Sequence, residues 1–186
     1  MNLSNVKSIV IPEGTVKKIT DGDGNVLWKK PPEWHTLWSG SRQIKGTISY
    51  NNSGTVTGNN ITLVNAQTID TESSSIWLRI TFTNYSGTGW AYQSGTTYTP
   101  STKQSSPYMV TKGTASSLTD LLGVLRNGWD NAAHTSYVRA LAMLQYSFNS
   151  NHQLTIKTKA TVSKYNDPAS GSATAQITIT KVEAYY

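Results

Sequence analysis

Apolar and polar residues alternate with a period of two through much of this chain. In Ile76-Trp-Leu-Arg-Ile-Thr-Phe82 the residues Ile76, Leu78, Ile80 and Phe82 fall on one side, which is the signature of a strand with one buried face. The stretch from Gln176 to Val182 puts Ile177, Ile179 and, if the alternation is unbroken, Lys181 on one side. Strands are predicted over residues 42–50, 55–64, 75–83, 137–148, 153–164 and 173–186. Asn149-Ser-Asn-His152 reads as the turn of a hairpin between two long strands. Repeated strands with polar turns predict an all-β, antiparallel sandwich of jelly-roll-like type. One segment breaks the rhythm: Ser116 to Arg126 has serine at a cap position and Leu118, Leu121, Leu122 and Leu125 at helical spacing, so one short helix over an open end of the sandwich is expected. Ala140 to Tyr146 satisfies helix propensity as well as strand alternation.

The first thirty residues are patterned differently. Val6, Ile9 and Ile11 make an apolar strand that Pro12-Glu-Gly14 ends, because proline cannot donate to a ladder and glycine supplies positive φ. Val16-Lys-Lys-Ile19 then leads into the turn-rich Asp21-Gly-Asp-Gly-Asn25, and Val26-Leu-Trp28 returns, which is a hairpin. Lys29-Lys-Pro-Pro32 closes the unit with a short, semi-rigid joint. The chain therefore divides into a hairpin module at residues 1–32 and a β-sandwich at residues 33–186. Two or three short strands are marginal alone, so the module is expected to pack on a partner or on the larger domain.

The turn Ile11-Pro-Glu-Gly-Thr-Val16 and the hairpin Ile19-Thr-Asp…Gly24-Asn-Val-Leu-Trp28 resemble the start of many tail-associated and other minor structural proteins of bacteriophages. A β domain that opens on Thr36-Leu-Trp-Ser-Gly40 and ends on Thr178-Ile-Thr-Lys-Val-Glu-Ala-Tyr-Tyr186 looks like the terminal domain of some phage tail proteins. The resemblance implies a non-enzymatic virion component, made in the host bacterial cytoplasm. Its N-terminal module, through Ile9, Ile11, Val16, Ile19, Leu27 and Trp28, attaches to other virion proteins. Its sandwich is presented outward as a tail fibre or receptor-binding part, with a host-surface glycan or protein as ligand. A head fibre or capsid-decoration role is the alternative within that reading, and a free-standing carbohydrate-binding module lies outside it. Self-association is implied too, a trimer being the commonest form in phage fibres.

Composition narrows the chemistry. The 186 residues include no cysteine, which excludes disulfide frameworks, thiolate nucleophiles and Cys-ligated zinc. No apolar run approaches the roughly 20 residues that span a bilayer, and Met1-Asn-Leu-Ser-Asn5 shows no signal-peptide pattern; membrane insertion is not expected. Net charge is +6 with 14% charged residues, and the surplus looks thinly spread. A nucleic-acid footprint would gather Lys and Arg with aromatics on one face, so nucleic acid is not an expected partner.

Candidate sites are few. Asp21-Gly-Asp-Gly-Asn25 alternates oxygen ligands as a calcium loop does, but that loop needs glycine sixth and glutamate twelfth. Val26 and Pro32 stand there, so a turn is expected. His35, His134 and His152 lie far apart, and neither a metal nor a cofactor is called for. Glycosidase chemistry needs two carboxylates about 5–10 Å apart; the local pairs are Asp70 with Glu72 and Asp120 with Asp130. No Gly-x-Ser-x-Gly elbow supports a serine nucleophile. The best binding candidate is the aromatic stretch from Asn84 to Thr114, carrying Trp90, Tyr92, Tyr98 and Tyr108. Rings among hydroxyls and amides suit sugar stacking or protein contact, though the same rings would suit a core. The tryptophans at 28, 34, 38, 77 and 129 are read as packing, and the terminal Tyr185-Tyr186 as needing cover from a neighbouring subunit or the first strand of the domain.

Overall fold

A computed structural model describes residues 16–51, 54–89, 103–105, 107–117, 124–129, 136–166, 168 and 171–186. Two compact units divide at Glu33 and Trp34.

The first unit is a two-stranded antiparallel hairpin, β1 (Lys18–Thr20) and β2 (Val26–Lys29). Ile19 pairs with Trp28 and Thr20 with Val26, so Leu27 is the extra residue of a bulge. Asp21 organises the turn. Its Oδ1 accepts from the backbone N–H of Asp23 at 3.0 Å and of Asn25 at 2.8 Å, and its Oδ2 accepts from the Asn25 amide at 2.8 Å. Gly24 has the positive φ, 86°, that this turn requires. Both carboxylate oxygens thus serve the chain, as a turn demands and a calcium loop does not. The strand expected at Val6 to Ile11 lies outside the described residues.

The second unit is an all-β sandwich of two antiparallel sheets, and no helix occurs among the described residues. One sheet, here sheet B, orders β4 (Thr55–Thr57), β3 (Trp34–Ser49), β13 (Ser172–Tyr185) and β6 (Ser75–Gly89). The short β7 (Lys103–Gln104) and β8 (Tyr108–Thr111) both pair with the far edge of β6. The other, sheet C, orders β10 (Val124–Trp129), β11 (Tyr137–Phe148), β12 (Gln153–Tyr165) and β5 (Thr62–Thr68), with β9 (Thr114–Ser117) also on β11. The inward faces meet in one core that includes Ile44, Ile76, Leu78, Ile80, Leu144, Phe148, Leu154, Ile156, Ile177 and Ile179, each essentially inaccessible to solvent.

Several expectations change. The helix over 116–126 gives way at both described ends: Ser116–Ser117 belong to β9 and Val124–Arg126 to β10. Ladder hydrogen bonds to β11 outweigh helical leucine spacing there; residues 118–123 lie outside the described set. Ala140–Tyr146 is strand throughout. The strand expected over 55–64 is two strands, because Gly58, at φ 69°, turns the chain between the sheets. A Cβ at Gly58 would meet the Gln43 carbonyl oxygen, so only glycine fits. Residues 84–89 continue β6 past a register shift at Asn84, whose φ is 49°, and are not loop. Lys181 does not share the face of Ile177 and Ile179: the register shifts between Ile179 and Lys181, and Val182 takes the inward place.

Candidate binding face

The first and last strands of the sandwich lie side by side, and β13 is flanked by β3 and β6. On β13, Val182 and Ala184 point into the core, so Lys181, Glu183 and Tyr185 point outward. By register, Tyr185 stands between Trp34 on β3 and Trp77 on β6, and Trp77 stands beside Met109 on β8. Four strands thus contribute one outward row, Trp34, Tyr185, Trp77 and Met109. At about 4.8 Å per strand the row runs about 14 Å across the sheet. Trp77 is 43% exposed and Met109 52%. Large apolar side chains at that exposure, contiguous across one sheet face, mark an interaction surface more than a core.

The next outward positions hold charge. Glu183 is 5% exposed. Its Oε2 accepts from Arg79 Nε at 3.0 Å and its Oε1 pairs with Lys181 Nζ at 2.8 Å. Burial alone would raise the Glu183 pKa, but hydrogen bonds and charge from Arg79 and Lys181 outweigh it and hold the carboxyl below its ordinary value. Arg79 also reaches across β13 to place its guanidinium 4.0 Å from the Trp34 ring centroid. Trp34 and Tyr185 lean on each other with centroids 5.4 Å apart. The charged triad therefore fixes one end of the aromatic row from beneath and leaves Trp77 and Met109 open.

Trp90, Tyr92 and Tyr98 lie outside the described residues, as do Ile9, Ile11, His134, Asp120 and Asp130. Tyr108 faces inward, packed against the core and edge-on to Tyr146 at 6.2 Å. In the hairpin, Val16 and Ile19 are half-buried while Val26, Leu27 and Trp28 are 56%, 50% and 38% exposed. Asp70 and Glu72 are exposed beyond the end of β5. Among the described residues no three His, Asp or Glu side chains gather as metal ligands would. Tyr185 is covered by Trp34, and Tyr186 stacks on His35 at 4.2 Å. Trp34 and His35 both belong to β3, the first strand of the sandwich.

Trp77 was missed as a site residue because a tryptophan between Ile76 and Leu78 looks like core. The alternation already placed it on the other face. Comparison with family models, with curated proteins and with solved structures finds no match.

Proposed function

We propose that this chain is a non-enzymatic bacteriophage virion protein, in which the hairpin unit attaches to the particle and the sandwich binds a glycan on the host surface. The resemblance of the first thirty residues supports the phage half of this reading. The observation that carries the binding half is the open Trp77–Met109 end of the outward aromatic row. An indole lying in a rigid sheet stacks on the apolar face of a sugar ring with little ordering cost. Two residues back along β6 and two residues on along β8, on the same outward side, the Ser75 and Thr111 hydroxyls, 3.1 Å apart, offer hydrogen-bonding groups for the ring hydroxyls. In the hairpin, the exposed Val26, Leu27 and Trp28 give a small unit an apolar surface to bury against a partner.

Tryptophan fluorescence titration of the full chain with neutral oligosaccharides, chitotetraose and cellotetraose among them, tests the binding half. Binding by at least one, lost in Trp77→Ala and kept when Val26, Leu27 and Trp28 are changed to serine, is the expected result. Undiminished binding in Trp77→Ala overturns the face assigned, and silence from every sugar overturns the glycan. The serine triple variant is expected to be missing from particles assembled in cells that express it in place of the native chain. Normal incorporation would overturn the attachment role.

A further inference from the structure

The short strand β8 alternates strictly. Val110 is fully buried, so Met109 and Thr111 point outward. A methionine in that place contributes nothing to the core. Met109 is 52% exposed and stands opposite Trp77 in the β6–β8 register, with Thr111 opposite Ser75 two residues on. Side chains opposite each other on one face of an antiparallel pair have Cβ atoms about 5 Å apart, so the thioether is within reach of the indole. Met143, the other methionine among the described residues, is 4% exposed.

That contrast has a chemical consequence. The chain has no cysteine, so no thiol competes with its methionine thioethers for a two-electron oxidant. Of the two described thioethers, Met109 is open to solvent and Met143 is not. We propose that Met109 is an oxidation site whose modification by a hydroperoxide closes the outward face of sheet B to its ligand. The Met109 Sδ lone pair attacks one oxygen of hydrogen peroxide, and the S–O bond forms as the O–O bond breaks. The proton on the transferred oxygen passes to the departing hydroxide and gives water. Sulfur loses the two electrons that the peroxide gains.

The product, methionine sulfoxide, is polar and chiral where the thioether was apolar and flexible. A sugar stacking across Trp77 and Met109 would have to strip water from the new oxygen. The oxygen also accepts hydrogen bonds. The Ser75 and Thr111 hydroxyls lie two residues, about 7 Å, along the same face. An unbranched side chain with three rotatable bonds covers much of that distance, so the sulfoxide competes for the donors a sugar would use. Methionine sulfoxide reductases reverse the modification, which makes it a switch and not only a lesion. The closing of the face rests on the glycan reading given above; the choice of Met109 over Met143 does not.

Mild treatment of the full chain with hydrogen peroxide, followed by peptide mass mapping, tryptophan emission and oligosaccharide titration, tests the proposal. Wild type, Met109→Leu and Trp77→Phe are each compared with their own untreated sample. Met109 is expected to gain one oxygen while Met143 stays reduced, and the wild-type unfolding midpoint should not move. Tryptophan emission should change on treatment in the wild type and in neither variant. Binding of an oligosaccharide by the wild type should weaken about tenfold on treatment, return after incubation with the reductases, and stay at its untreated level in Met109→Leu. Oxidation of Met143 as fast as Met109 overturns the proposal, as does equal weakening in Met109→Leu. A loss of binding that comes with a lowered unfolding midpoint overturns it too, because the fold and not the face would then have failed. If no oligosaccharide binds the untreated chain, the glycan reading falls and emission decides this one. A change that needs both Met109 and Trp77 upholds the modification site beside the indole, and unchanged emission with Met109 fully oxidised overturns it.

Discussion

Glu183 is the residue whose environment departs furthest from its sequence appearance. A lone carboxylate in Thr-Lys-Val-Glu-Ala-Tyr reads as surface, yet the fold buries it between Arg79 and Lys181. Removing its charge leaves two cations facing each other, so Glu183→Gln should cost about 1–3 kcal/mol in urea unfolding at neutral pH. The sign with pH follows from its depressed pKa. The ion-pair contribution is fully present above the ordinary glutamate value of 4.5 and is lost as pH falls through the lower folded-state value. Wild type and Glu183→Gln should therefore converge in stability below that value; a gap that stays constant with pH would show that the pair is not the source. Arg79 was legible only as a cation, because its partner is 104 residues away in sequence. Trp77, by contrast, was placed by alternation alone, and only its apolar character argued against reading it as exposed.

At the scale of elements, strands were legible wherever one face is buried, since alternation then has to be kept. Tyr137–Phe148 begins and ends where its pattern does. What was not legible is where a strand bends or yields its place. The corner from β4 to β5 shows why. Thr158, on neighbouring β12, is fully buried and donates its hydroxyl to the Gly58 carbonyl at 2.6 Å, while accepting from the Ile61 N–H at 2.8 Å. A side chain 97 residues downstream thus satisfies the backbone of the turn, and no local signal announces it. Thr158→Val keeps the shape and strips both bonds, so it should lower stability by about 1–3 kcal/mol, read from the denaturant midpoint. Thr158→Ser keeps the bonds and should recover most of that loss. Equal losses in the two variants would mean that the methyl group, not the hydroxyl, holds the corner. The leucine-rich stretch near β9 and β10 teaches the converse. Helical spacing at Leu118 to Leu125 says nothing about the open edge of β11, which takes Thr114–Ser117 and Val124–Trp129 as strands.

For the whole molecule, the deciding feature is that the last strand is the middle of a sheet. β13 pairs with β3 along one edge and β6 along the other, and Ile177, Ile179, Val182 and Ala184 carry its share of the core. The alternation at 173–186 showed a strand, but its neighbours depend on contacts far apart in sequence, which pattern cannot supply. Among the described residues, every member of that cluster lies beyond Glu33. Two truncations should then behave oppositely. Residues 34–186 should unfold in one cooperative transition within about 2 °C of the full chain, a change below 1 kcal/mol at this size. Residues 1–171 lack β13, which leaves β3 and β6 without their shared partner and their inward faces open to water. That fragment should show no cooperative transition by calorimetry and should be cut rapidly by protease. A cooperative transition in the fragment without β13 would show that sheet C and the remaining strands fold by themselves, and that the central strand is added afterwards and does not organise the sheet.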